Sequence, residues 1–129
     1  MDNVGSMTRI IPHPISASTK QIGDAGEETA VRHLVARGLR VLARNFRVKG
    51  GEIDIVCRDG ATTVFVEVRR RATKSHGGAA YSITPTKQKR LILAARHWLA
   101  RHGDCDCRFD CVLIDGEQLD WMRDAFRPD

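Results

Sequence analysis

The stretch GEIDIVCRDGATTVFVEVRRR, residues 51–71, constrains the fold more than any other part of the chain. Two apolar runs flank an Asp-Gly dipeptide, the strongest short signal for a two-residue hairpin. The pattern predicts strands at about 52–58 and 62–69 joined through Asp59-Gly60. Side chains alternate faces along a strand. Ile53, Ile55 and Cys57 are therefore expected on one face, and Glu52 and Asp54 on the other. In the second strand Val64, Val66 and Val68 share one face, while Phe65, Glu67 and Arg69 share the other. With Arg58 opposite Ala61, Asp54 faces Phe65 and Glu52 faces Glu67, so three carboxylates and Arg69 gather on one side. Like charges directly opposite each other are destabilising. That leaves two readings of this face level. It is a site for a hard divalent cation, which prefers oxygen ligands, or it is a water-facing sheet face whose acids are neutralised by Arg69, Arg70 and Arg71.

The flanking segments read as helix and strand in alternation. Upstream, Ala30, Val31, Leu34 and Val35 follow helical spacing from about Gly23, and Gly38 closes the helix. Glu27 shares the buried stripe, because it precedes Val31 by one helical turn, and Glu28 lies at its edge; an acid near a helix start also suits the positive helix N-terminus. LRVLARNFRV, residues 39–48, reads as a first strand ended by Gly50-Gly51. Downstream, Thr84-Pro85 is an N-cap followed by proline at the first helical position. Leu91, Ala95, Trp98 and His102 share one face of the helix so begun, and Gly103 stops it. CRFDCVLID, residues 107–115, is a fourth strand, and QLDWMRDAF follows as a short strand or helix. Helix, three strands, helix and strand predict an α/β fold, a mixed sheet with helices packed on it. With 129 residues there is room for one domain, expected over 21–129, behind a flexible leader of residues 1–20.

The net charge of +5 hides an asymmetry. Residues 1–103 carry 18 Lys and Arg against 8 Asp and Glu, whereas residues 104–129 carry 3 against 8. The basic part has a field suited to a polyanion, with nucleic acid the leading partner. No apolar run is long enough to span a membrane and no secretory signal opens the chain, so the expected compartment is the cytoplasm. Cys57, Cys105, Cys107 and Cys111 fit that compartment as free thiols. The CDCRFDC cluster lacks the paired C-x2-C spacing of a structural zinc site, and Cys111 reads as a small core residue.

GDAGEETAVRHLVARG, RNFRVKGGEIDIVCRDG, VFVEVRRR, TPTKQKRL and RFDCV, in that order, resemble the YraN-like (UPF0102) family of small bacterial proteins over about residues 20–127. That family is similar to a branch of the PD-(D/E)XK nucleases. The resemblance therefore implies a restriction-endonuclease-like αβββαβ core and a metal-dependent nuclease acting on phosphodiester bonds in DNA, branched DNA included. It implies that Glu27 stands at the helix-one glutamate and Asp54 at the metal-binding aspartate, with the E-x-K motif falling on Glu67-Val68-Arg69. The last position departs from the pattern. Arginine stabilises phosphoryl charge well, but it stays protonated and makes a poor general base. On this reading Asp54, Glu67 and the Val68 carbonyl hold Mg²⁺ or Mn²⁺, Glu27 ligates directly or through water, and Arg69 stabilises developing charge. Glu52 is an outer-shell candidate or a cap of the Gly-Gly turn. Lys87, Gln88 and Arg90 open the second helix, where backbone N–H groups also favour phosphate, and Arg70, Arg71 and Lys74 form a backbone clamp. Few aromatics argue against stacking on unpaired bases. Two alternatives stand beside the nuclease: a nucleic-acid-binding protein that keeps the fold without turnover, as Arg69 suggests, and an adaptor that binds protein through the acidic C-terminal stretch. Oligomeric state is left open.

Overall fold

Seven elements follow one another in a computed structural model that describes residues 19–70 and 83–128. They are α1 (Thr19–Ala36), β1 (Arg40–Val48), β2 (Gly51–Asp59), β3 (Thr62–Arg70), α2 (Pro85–His102), β4 (Cys107–Asp115) and β5 (Gln118–Phe126). Residues 1–18 of the expected leader, together with Arg71, Lys74 and the glycine-rich segment after them, lie outside the described residues. The last two residues of the expected leader already belong to α1.

Helix α2 starts and stops where its local chemistry requires. The Thr84 hydroxyl accepts a bond from the Lys87 N–H at 3.2 Å, Pro85 takes the first turn, and Gly103 ends the helix at φ +99° with its N–H returned to the Leu99 carbonyl. The sheet runs β1-β2-β3-β4-β5. Every pair is antiparallel except β3 with β4. Parallel neighbours need a crossover, and α2 is that crossover. The αβββαβ order expected from sequence is present, extended by β5.

The sheet separates two apolar layers. On one side Leu91, Ala94, Ala95 and Trp98 of α2 pack on Ile53, Val56, Phe65, Phe109 and Cys111. On the other, Ala30 and Leu34 of α1 pack on Ile55, Cys57, Val64, Val66, Val112 and Ile114. Val35, expected in the α1 stripe, is 51% exposed. At about 100° per residue it lies one step beyond the face that Ala30 and Leu34 present.

The hairpin register differs from expectation by two residues. Asp59 pairs with Thr62 and Arg58 with Thr63, so the turn is Gly60-Ala61. Gly60 carries the positive φ, +62°, that a tight hairpin demands at its first central position, and Asp59 is displaced into the strand. The shift is even, so face parity within the turn-proximal hairpin survives. A second difference is local. Ile53 belongs to the α2 layer while Ile55 and Cys57 belong to the α1 layer, so the alternation breaks at Asp54. Two irregularities coincide there. Asn45, between the residues paired with Ile53 and Ile55, adopts a left-handed φ of 54°, and the β2–β3 ladder stops at Ile55–Val66.

The C-terminal acidic stretch is built into the sheet as β5. Asp110, on the interior strand β4 and 1% exposed, anchors it. Its carboxylate accepts from Arg108 at 3.0 Å, from Trp121 Nε1 at 2.9 Å and from the Asp124 N–H at 2.9 Å. A buried carboxylate is tolerated only when its lone pairs are filled in this way.

Candidate active site

The splaying of β2 from β3 is what creates the site. Beyond Val66 the β3 backbone loses its β2 partner, and a buried N–H without an acceptor is costly. Asp54 fills that role: its Oδ2 accepts from the Val68 N–H at 2.8 Å. The two-residue register correction also matters here, because Val56 rather than Asp54 pairs with Phe65, which leaves Asp54 and Glu67 each one residue beyond the last paired position.

Glu67 is buried, with its side chain 4% exposed, in the middle of β3. Two cations meet its Oε2, Lys87 Nζ from α2 at 3.3 Å and Arg69 from the same strand at 3.6 Å. Lys87 reaches it because Thr84 and Pro85 fix the start of α2 and because Lys87 lies one turn before the buried Leu91. Burial, and after it the neighbouring Glu67 carboxylate, push the Asp54 carboxyl up to about 7, against the pull of the Val68 N–H and of Lys87. A strongly shifted carboxyl in a cleft is a mark of a functional site.

Asp54, Glu67, Val68, Arg69 and Lys87 line one cavity of about 330 Å³ with Gly26, Glu27 and Arg70. Glu27 enters from α1, mostly buried, and accepts from Asn45 Nδ2 at 3.2 Å with Arg44 at 3.9 Å. The Glu27 contact ties the left-handed Asn45 to the same cavity. Glu28, at the stripe edge, instead pairs with Arg44 at 2.9 Å on the surface.

The structure thus gathers Glu27, Asp54, Glu67, Arg69, Arg70 and Lys87 around one space. Gln88 is not among the lining residues; its Nε2 donates to the Ile83 carbonyl at 2.8 Å at the foot of α2. Arg90 is directed to Glu52 at 3.9 Å, and Glu52 also lies 4.0 Å from Arg47, outside the lining. Arg71 and Lys74 fall outside the described residues. One contributor has no place in the sequence reading: Gly26 forms part of the wall, and its signal is a glycine inside a helix, where alanine would be more stable. Lys87 was legible as inward-facing, but its approach to Glu67 was not.

The donor set suits a hard divalent ion. Asp54 and Glu67 offer carboxylate oxygens in one wall, and their mutual repulsion is what a cation relieves. Among the described residues no three acidic, histidine or cysteine side chains form a ready-made metal cluster. The protein ligands on offer are therefore this pair, with Glu27 held nearby by Asn45.

The profile of the Uncharacterised protein family UPF0102 matches residues 26–114, which contain Glu27, Asp54, Glu67 and Lys87. A UPF0102 protein of Dechloromonas aromatica (strain RCB) is 57% identical over 112 residues, covering 87% of this chain and 93% of its own. One from Ralstonia pickettii (strain 12J) is 56% identical over 124 residues, 92% of this chain and 97% of its own. The UPF0102 protein YraN of Escherichia coli (strain SMS-3-5 / SECEC) is 50% identical over 117 residues, with 88% and 89% covered.

Proposed function

The chain belongs to the UPF0102 family, and we propose that it is a metal-dependent nuclease whose centre is the Asp54–Glu67 pair. The observation that carries this reading is the burial of two carboxylates side by side in a cleft that also presents Lys87 and Arg69. The αβββαβ order, with the acids where β2 and β3 part, agrees with the PD-(D/E)XK resemblance.

Asp54 and Glu67 would hold Mg²⁺ or Mn²⁺. The chemistry supplied by the bound ion is Lewis-acid polarisation of a phosphate oxygen. The remaining work falls to the chain. The Val68 N–H fixes the Asp54 carboxylate in place. Lys87 and Arg69, both within 4 Å of Glu67, stand ready to stabilise charge that builds on the phosphoryl oxygens. Lys87 restores the ammonium group that the Glu67-Val68-Arg69 motif lacks, delivered from α2 instead of β3. Arg70, exposed at the rim, meets backbone phosphates. Among the described residues, none of the cavity-lining side chains is aromatic, which favours DNA gripped by its phosphates over stacked single strands.

One observation favours the non-catalytic alternative. Lys87 and Arg69 already surround Glu67 with positive charge, so the site is electrostatically supported by protein groups alone. Incubation with supercoiled plasmid, branched DNA and RNA in Mg²⁺ or Mn²⁺ separates the two. The nuclease predicts cleavage that is abolished by chelator and by Glu67→Ala. Binding at low salt without cleavage in any condition supports the alternative, and cleavage that survives Glu67→Ala refutes the proposed centre.

A further inference from the structure

Asn45 has a conformation that the fold does not account for. Among the described residues two besides glycine have a left-handed backbone, Asn45 and Asp124, each at φ 54°. Residues held in such sparsely populated conformations gather at functional sites. Asp124 has a structural reason: its N–H donates to the Asp110 carboxylate at 2.9 Å, beside a shift of register between β4 and β5. Asn45 lies instead between Arg44, paired with Ile55, and Phe46, paired with Ile53. The register with β2 is the same on both sides, so no inserted residue requires the turn. Asn45 is also exposed, and a hydrogen bond made in water does little to offset strain.

The effect of the turn is on Glu27. Successive strand residues ordinarily face opposite ways, yet Arg44 and Asn45 both turn to α1 and both meet this carboxylate, Asn45 Nδ2 at 3.2 Å and Arg44 Nη2 at 3.9 Å. Phe46, next along, packs edge-on against Trp98 of α2 on the other side of the sheet. Arg44 has its closer partner in Glu28, at 2.9 Å. The Asn45 amide is thus the nearer of the two on Glu27. An amide orients a carboxylate without cancelling its charge, and metal-ligating carboxylates are themselves held by such hydrogen bonds. Glu27 lines the cavity with Asp54 and Glu67, and Asn45 stands level with Asp54 across the β1–β2 ladder. The Asp54 carboxyl, raised chiefly by burial and then by Glu67, is raised further by the Glu27 charge.

We propose that Asn45 is a positioning residue of this site: its left-handed backbone aims the amide at Glu27 and so holds that carboxylate as a third oxygen ligand for the cation of Asp54 and Glu67. This role rests on the cation reading of the site, though not on cleavage.

The test is Mn²⁺ titration of the full chain, followed by loss of the free-ion electron paramagnetic resonance signal, with the melting temperature in chelator measured alongside. Asn45→Gly is the variant of choice, because glycine takes the left-handed backbone without strain while the amide is gone. It should bind Mn²⁺ about tenfold more weakly than wild type and melt close to it. Glu27→Gln should lose at least as much affinity. Adding Asn45→Gly to Glu27→Gln should then lose nothing further, since both act through one carboxylate. Wild-type uptake that Glu67→Ala abolishes but Asn45→Gly leaves unchanged overturns the proposal alone. So does a loss as large in the Glu27→Gln background as in wild type, or one matched by a clear fall in melting temperature, the marks of a merely structural role. A wild-type protein that takes up no Mn²⁺ overturns the cation site itself and this role with it.

Discussion

Asp54→Asn should make the protein more stable at pH 8 while removing the centre of the proposed active site. The wild-type carboxyl titrates near 7 in the folded chain, raised from 3.8, chiefly by burial and then by Glu67. A carboxyl raised on folding binds its proton more tightly in the native state, so its contribution to stability is full below about pH 4 and is lost as pH climbs to 7. Three pH units at about 1.4 kcal/mol each set the loss on the order of 4 kcal/mol. Asparagine cannot ionise, and its side-chain oxygen can still accept the Val68 N–H that Asp54 now accepts at 2.8 Å. Urea unfolding followed by tryptophan fluorescence, in chelator from pH 4 to pH 8, measures the effect. The difference between wild type and Asp54→Asn reports Asp54 together with its interaction with Glu67, since the other titrating residues are common to both. The variant should draw level near pH 4 and gain steadily until pH 7, where the gap stops growing. Parallel pH profiles, or a variant less stable at pH 8, would refute the claim that Asp54 is a strained carboxylate.

Other substitutions separate the supports of the fold from those of the site. Asp110→Ala strips Arg108, Trp121 and the Asp124 N–H of their shared acceptor, and should cost about 3–5 kcal/mol in chemical denaturation with a change in Trp121 emission. Gly51→Ala would place a methyl 2.5 Å from the Arg90 carbonyl oxygen and 3.0 Å from the Ala94 nitrogen; the forced separation of β2 from α2 should lower stability by about 2 kcal/mol, read from the melting temperature. Lys87→Ala should reduce the DNA cleavage rate about 100-fold with a smaller change in DNA affinity, whereas Arg70→Ala should weaken affinity and its salt dependence while sparing the rate of the bound complex. Rate and filter-binding measurements on the two variants would contradict that division of labour if the patterns were exchanged.

Most of the architecture was legible because it is written in local signals. Thr84-Pro85 and Gly103 delimit α2, and the alternation of 62–69 makes a strand whatever it packs against. The hairpin register differs from expectation because the turn is Gly60-Ala61 and not Asp59-Gly60. Gly60 takes the left-handed φ at the first central position of the turn, where glycine carries no Cβ penalty, and Asp59 stands in the strand. The break of alternation at Asp54 could not be read locally, since it depends on Asn45 in the neighbouring strand and on the end of the β3 ladder. The acids of the site were legible as a group. Lys87 was legible as a phosphate contact at the start of the helix but not as the partner of Glu67, because that approach is set by how α2 crosses the sheet. Asp110, within RFDCV, carries no signal of its own as a strand anchor. Its clue was Arg108 two residues earlier on the same face of the strand.

The central claim is that Asp54 and Glu67 are a cation site, and anomalous diffraction from crystals soaked in Mn²⁺ tests it most directly. The account predicts one peak between the two carboxylates, with Lys87 displaced from Glu67, and its disappearance in Glu67→Ala. A wild-type crystal with no peak there, and Lys87 still against Glu67 at saturating Mn²⁺, would contradict it.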